Sequence, residues 1–196
     1  GLGLTARGLA LARFAPNARL LDVACGNGAT LAFLRNQGYA AQGIDHDPSR
    51  AASVENAALA QAESLPYGDN TFDGILMECC LCDFEQPQTA LTEAARVLAH
   101  GGKLLLSDLY ARQPVPLTAQ APRFRLYDQP TLHAWLAQAG FALEHFEDHS
   151  RELSAFFGQL LLSCGCDSLS AMGLDLPALK AAGCGYYLAV AAKAAP

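Results

Sequence analysis

At 196 residues the chain is long enough for one domain with a sizeable core, and its 52% of apolar residues supply the material for that core. A net charge of −6 and a pI near 5.2, with no Lys/Arg cluster, argue against a phosphate-tracking surface and turn attention from nucleic acid to small molecules. No apolar run reaches membrane-span length and no secretory signal opens the chain, so no membrane partner is expected and the cytoplasm is the expected address.

In chain order, short β-type runs alternate with helical stretches. Strands are predicted at about 19–24, 40–45, 58–62, 72–78 and 102–109, and helices at about 29–37, 48–57 and 87–99. Such alternation is the signature of a parallel sheet covered by helices on both faces. Asp47-Pro48 and Gln86-Pro87 mark helix starts, and His100-Gly101-Gly102 reads as a helix stop. The proline-rich run from Arg112 to Pro122 is a loop leaving the fifth strand over the ligand edge of the sheet, where loops recognise substrate. Beyond it lie a short amphipathic helix from Thr131 to Ala139, a strand from Phe141 to His149, and a last strand from Gly185 to Ala192 in which Tyr186, Leu188 and Val190 alternate.

The run from Leu20 to Leu31 compresses a buried strand, a glycine turn and a helix start into one segment. Leu20 to Ala24 is apolar enough for a strand covered on both faces, and Cys25, Gly26, Asn27 and Gly28 let the backbone turn closely past a ligand. Free N–H groups at such a turn lie at the carboxyl edge of the sheet, where open α/β sheets bind ligands. A dinucleotide fingerprint would place a third glycine at position 31, where this chain has Leu31, so hydride transfer is disfavoured. Asp22, a carboxylate among apolar neighbours, needs donors, and the turn is expected to supply them.

With Asp45 ending the next strand, this corner resembles motif I and the following acidic position of class I S-adenosylmethionine-dependent methyltransferases. The resemblance runs nearly without break from Leu20 to Tyr110. It implies an α/β, Rossmann-like, doubly wound seven-stranded sheet of order 3-2-1-4-5-7-6 with the last strand antiparallel. It also implies S-adenosyl-L-methionine as cofactor and S-adenosyl-L-homocysteine as product. By position, Asp22, Ala24, Cys25, Gly26 and Gly28 would form the cofactor turn, Asp45 would hold the ribose hydroxyls with Asp47 as understudy, and His46 would pack on the adenine. Gln61 stands where the family has an aspartate facing the adenine amino group; its carbonyl can accept the same bond, and the Ala62 N–H would reach the ring. Glu78 and Cys79 would lie beside the methionine end, with Cys80 lining the pocket, and Cys82 and Asp83 where many relatives turn a His pair toward substrate. The run from Ala90 to Leu98 followed by Gly101-Gly102-Lys103 resembles a signature that marks the fold rather than the site, and the Phe72-Asp73 pair is read as structural.

Residues 1–196 are therefore read as one such domain, monomeric or homodimeric, with a helical insertion at about 151–183 between the last two strands. The insertion comprises an apolar helix from Glu152 to Leu162, a Cys164-Gly165-Cys166 loop and a small helix from Pro177 to Ala182. It leaves from the cofactor edge and is a candidate lid; the exposed Phe156-Phe157 pair suits a dimerisation or packing helix equally. Gly1 is not a natural start, and in this family an N-terminal piece often covers the cofactor.

The reaction implied is methyl transfer to O, N or C of a small molecule, with Asp83 and Glu78 as the candidate bases for an acceptor that carries a proton. Tyr110, just past strand five, is a candidate to orient substrate, with a core tyrosine the plainer reading, and Arg112, Arg123 and Arg125 are weak candidates for a carboxylate-bearing acceptor. Seven cysteines, five of them near one sheet edge, raise thiol-assisted methylation of a soft element such as arsenic(III) as an alternative. A noncatalytic cofactor-binding module is another. No metal site is expected, and small buried thiols are the plain reading of the cysteines.

Overall fold

The computed structural model describes residues 1–113, 125–164, 179 and 181–194. Helices α1 (Leu2–Ala12), α2 (Ala29–Asn36), α3 (Pro48–Ser53), α4 (Pro87–Val97), α5 (Gln129–Gln138) and α6 (Ser150–Cys164) flank one sheet. Its strands are β1 (Arg19–Val23), β2 (Ala40–Asp45), β3 (Ala57–Leu59), β4 (Phe72–Glu78), β5 (Leu98–Ala111), β6 (Phe141–Asp148) and β7 (Cys184–Lys193), in the order β3-β2-β1-β4-β5-β7-β6. Only β7 opposes its neighbours. The expected strand order and antiparallel last strand are both present.

Two apolar layers follow from the period-2 alternation of the strands. Leu20, Ala41, Leu76, Leu105 and Val190 face one way and pack with Leu9 of α1 and Leu31 and Leu34 of α2. Leu21, Val23, Ile75, Met77, Leu104 and Leu106 face the other way and pack with Ala90 and Leu91 of α4 and Leu132 and Leu136 of α5. Each fully buried leucine or isoleucine contributes roughly 1.5–3 kcal/mol relative to exposure. Leu31, in the place of the third dinucleotide glycine, is one of these core residues.

The sequence reading had no counterpart for α1. Gly8 lets this helix approach the sheet, since a Cβ there would meet Leu105 Cδ2 at 2.7 Å. Arg7 then pairs with Glu147 of β6 at 2.6 Å, and Glu147 in turn meets His149. Several boundaries also move. α4 stops at Val97, and β5 starts at Leu98, ahead of the glycines, because Leu98 pairs with Phe72 and a register shift absorbs the extra residues. α3 ends at Ser53 and β3 at Leu59, so Gln61 and Ala62 lie past the strand. The expected starts at Pro48 and Pro87 hold, with Asp47 capping α3 by accepting the N–H groups of Ser49 and Arg50.

The marker motif has a structural task. Glu93 accepts the Leu65 N–H at 2.8 Å, and Arg96 donates to Glu93, to Asp69 at 2.9 Å and to the carbonyl oxygens of Leu65 and Tyr67. Asp73 likewise accepts the Arg19 N–H at 2.8 Å and pairs with its guanidinium, while Phe72 is buried, in line with the structural reading of that pair. The loop from Gln61 to Asp69 is thus tied to α4. Arg96→Ala removes four partners of a half-buried guanidinium, and we expect it to cost about 1–3 kcal/mol. Urea denaturation should show a lower midpoint with an unchanged m-value.

Candidate active site

Ligands of doubly wound sheets bind where neighbouring strands send their connections in opposite directions. Here that point lies between β1 and β4. Each strand is followed by a left-handed residue other than glycine, Ala24 with φ 57° and Cys79 with φ 55°. Such backbone costs on the order of 1–3 kcal/mol and persists where the surroundings hold it. After Ala24 the chain turns through Gly26 and Gly28, also left-handed, and a Cβ on Gly28 would meet Val54 Cγ1 at 2.6 Å. Cys25 is buried beneath the turn, its thiol above Gly43, where an added Cβ would lie 2.8 Å from the sulfur. Burial, with Asp22 and Asp45 nearby, pushes that thiol up to about 11, so it stays neutral.

Register places three carboxylates on one face of this edge. Asp22 pairs with Gly43 and with Leu76, and Asp45 and Glu78 stand two residues further along β2 and β4. Their partners differ. Asp45 Oδ2 accepts the Gly26 N–H and Oδ1 the Asp47 N–H, each at 2.9 Å. Glu78 accepts the hydroxyls of Thr5 in α1 and Thr30 in α2, each at 2.8 Å. Asp22 is 3% exposed, and its Oδ2 has no hydrogen-bond partner. This corrects the expectation that the turn satisfies Asp22: the turn's Gly26 N–H goes to Asp45. Burial, then Glu78 and Asp45, push the Asp22 carboxyl up to about 8.

A cavity of about 400 Å³ opens beside this edge, lined by Ala24, Asp45, His46, Gln61, Ala62, Cys79, Cys80 and Asp83 among others. It brings together most of the expected cofactor residues. His46 is exposed, with Nδ1 3.7 Å from Asp45 Oδ1. Asp22, Cys25, Gly26, Gly28 and Glu78 are not among the residues that line it. Asp47 is committed to capping α3 rather than standing in for Asp45. Arg50, Glu63, Phe84, Glu85 and Gln86 also line the cavity; they were not singled out from the sequence, because each looks like an ordinary surface or loop residue there.

Cys82 does not face substrate. It is buried, its thiol donating to Asp108 Oδ1 at 3.0 Å and its N–H to Oδ2 at 2.9 Å. Asp108, itself 1% exposed, thereby holds the 3-10 turn Leu81–Asp83 and leaves Asp83 exposed at the cavity. Cys79 and Cys82 have C-x-x-C spacing, yet the turn sends the Cys79 thiol to Tyr186 Oη at 2.9 Å, while Cys80 donates to the Val23 carbonyl oxygen. No group of three metal-ligating side chains exists among the described residues. Among the described residues the thiols thus form no cluster that would support the arsenic(III) reading; Cys166 and the Cys164 side chain lie outside them.

Tyr110 is a core residue, with its ring edge-on to Phe146 and Tyr187. Arg112 donates to the Gly183 carbonyl oxygen and Arg125 to that of Glu85, so both hold backbone; Arg123 lies outside the described residues. Of the expected lid, α6 is described, and it leaves from the carboxyl edge after β6. Phe157 packs with Ala111, Leu126, Leu179 and Ala182, whereas Phe156 is exposed. Most of the Arg112–Pro122 loop and half of the Pro177–Ala182 stretch lie outside the described residues. No helix among those described is long and apolar enough to cross a membrane.

Comparisons with known proteins place this geometry. A family model described as a methyltransferase domain matches residues 21–106. An O-methyltransferase, rstn1, of Aspergillus nomiae is 31% identical over 151 residues, covering 66% of this chain and 67% of that one. A demethylmenaquinone methyltransferase of Tropheryma whipplei is 34% identical over 116 residues, which is 55% of this chain and 47% of the relative. The chain thus spans about half the length of that relative. Among solved structures, the [4+2]-cyclase SpnF superposes with a TM-score of 0.79 at 24% identity, over 99% of this chain and 82% of that one. A geranyl diphosphate C-methyltransferase of Streptomyces coelicolor A3(2) also reaches 0.79, at 13% identity, over 96% of this chain and 79% of that one. These two likenesses establish the fold, and a fold shared by a cyclase and a methyltransferase does not fix an activity. The sequence relationship is the finding that decides: the chain belongs to the class I S-adenosylmethionine-dependent methyltransferase family.

Proposed function

We propose that this chain binds S-adenosyl-L-methionine at the β1/β4 edge and transfers its methyl group to a small-molecule acceptor, releasing S-adenosyl-L-homocysteine. The observation that carries the reading is the set of Asp22, Asp45 and Glu78 on one sheet face beside the cavity. The residues fit that cofactor. An orphaned buried carboxyl oxygen on Asp22, next to a second carboxylate held by two hydroxyls, suits a cationic amino-acid end. Each Asp45 oxygen accepts one N–H and retains a lone pair for a ribose hydroxyl. Gln61 and the buried Ala62 line the cavity where an adenine would be read by a carbonyl acceptor and a backbone N–H.

When bound, the sulfonium supplies a methyl group already activated for in-line displacement, so the protein's task is to aim, exclude water and handle one proton. Glu78, held on both oxygens, is suited to orient the amino-acid end rather than to act as a base. Asp83 stands exposed at the cavity on a turn fixed by Asp108 and is the group suited to take the proton of a hydroxyl acceptor. Names of the relatives, which cover C- and O-methylation, support a small-molecule acceptor. A noncatalytic binding module remains the competing outcome of the tests below.

Asp45→Ala removes both ribose contacts and the acceptor of the Gly26 N–H. Calorimetric titration should find S-adenosyl-L-methionine and S-adenosyl-L-homocysteine bound by the wild type and weakened at least about tenfold in the variant, with circular dichroism unchanged. A turnover assay scored by S-adenosyl-L-homocysteine release, over panels of phenols and amines, tests Asp83. Asp83→Asn should lower kcat with hydroxyl acceptors about 10²-fold and leave cofactor affinity unchanged. Binding with no turnover on any acceptor would favour the noncatalytic module.

A further inference from the structure

The three carboxylates of the β1/β4 edge are unequally provided for. Asp45 accepts two backbone N–H groups and Glu78 two hydroxyls, whereas Asp22, buried on the same face, has an oxygen with no partner. Three adjacent negative charges in a partly dry site repel, and a proton settles on the carboxyl with the fewest donors. The groups facing it leave no other choice. β4 contributes the Glu78 carboxyl and β2 the Asp45 carboxyl, and the turn contributes the neutral Cys25 thiol. α1 and α2 contribute Thr5 and Thr30, whose hydroxyl protons are committed to Glu78. The nearby basic side chains face other carboxylates, His46 toward Asp45 and Arg50 toward Asp47.

We infer that Asp22 carries a proton in the free protein at neutral pH and releases it when the ammonium group of an amino-acid-bearing ligand binds beside it, making Asp22 the residue that selects a cationic ligand over a neutral one of similar shape. The inference rests on the reading of this edge as the S-adenosylmethionine site. The carboxyl O–H bond is the one that breaks: its proton passes to a buffer base, and the carboxylate left behind pairs with the ligand's ammonium. Burial and the two neighbouring carboxylates, which push Asp22 up to about 8, set the range in which this operates. Because binding lowers that value, affinity rises with pH up to about 8 and is flat above it, and below that point binding releases a proton.

The test is calorimetry with S-adenosyl-L-homocysteine in buffers of different ionisation enthalpy between pH 6.5 and 8.5, with 5′-methylthioadenosine as the probe lacking the ammonium. Close to one proton released at pH 7, declining as pH passes 8, and an affinity rising up to about tenfold per pH unit below that point are expected. Methylthioadenosine should bind with no release. Asp22→Asn, which mimics the protonated acid, should bind the homocysteine ligand more weakly, with no proton release and no pH dependence over this range. It should also unfold at no lower denaturant concentration than the wild type at pH 8. Binding without proton release, release that persists in Asp22→Asn, or equal release with methylthioadenosine overturns the inference. Failure of the wild type to bind S-adenosyl-L-homocysteine at any pH overturns the site reading along with it.

Discussion

Strand alternation is the constraint on which the site depends. Because successive side chains leave a strand on opposite faces, Asp22, Asp45 and Glu78 share a face only while β1, β2 and β4 keep the register that pairs Asp22 with Gly43 and Leu76. A slip of one residue would turn one carboxylate into the layer packed by α4 and α5. The same alternation sends Leu20 and Leu76 into the α1/α2 layer directly below the carboxylates. Core and site are thus held by one register, and the apolar burial that fixes the first also fixes the second.

The two faces of the carboxyl edge divide the work. On the α1/α2 face, Asp22, Asp45 and Glu78 gather negative charge, with α1 and α2 lending one hydroxyl each to Glu78. On the other face, buried Asp108 meets Cys82 and fixes the turn that carries Asp83 to the cavity. Left-handed Ala24 and Cys79 are where the chain passes between these two surroundings. The first face suits a cationic ligand, and the second positions a group for a proton that an acceptor must lose.

Much of this was legible in the chain, for reasons that can be named. The β1 corner and Asp45 show in local sequence because a buried strand, a glycine turn and a following acid lie within 26 residues of one another. The strand order followed from family resemblance, which local pattern alone would not supply. What stayed hidden depends on contacts between distant residues. Thr5 meets Glu78 across 73 positions and Cys79 meets Tyr186 across 107, and no local spacing announces either. α1, with two glycines among its apolar residues, offers no clear amphipathic stripe. The glycines after α4 read as a stop, although Leu98 had already joined the sheet by pairing with Phe72. Asp22 stands out in the sequence as a carboxylate in need of donors, but which carboxylate takes the Gly26 N–H is decided by the fold, and it is Asp45.

The most direct test of the central claim is a crystal structure of the protein with S-adenosyl-L-homocysteine. The account predicts the ligand's ammonium against Asp22 and Glu78, its ribose on Asp45 and its adenine between His46 and the Gln61-Ala62 backbone. A ligand bound away from the β1/β4 edge, or one bound there whose ammonium touches neither Asp22 nor Glu78, would contradict it.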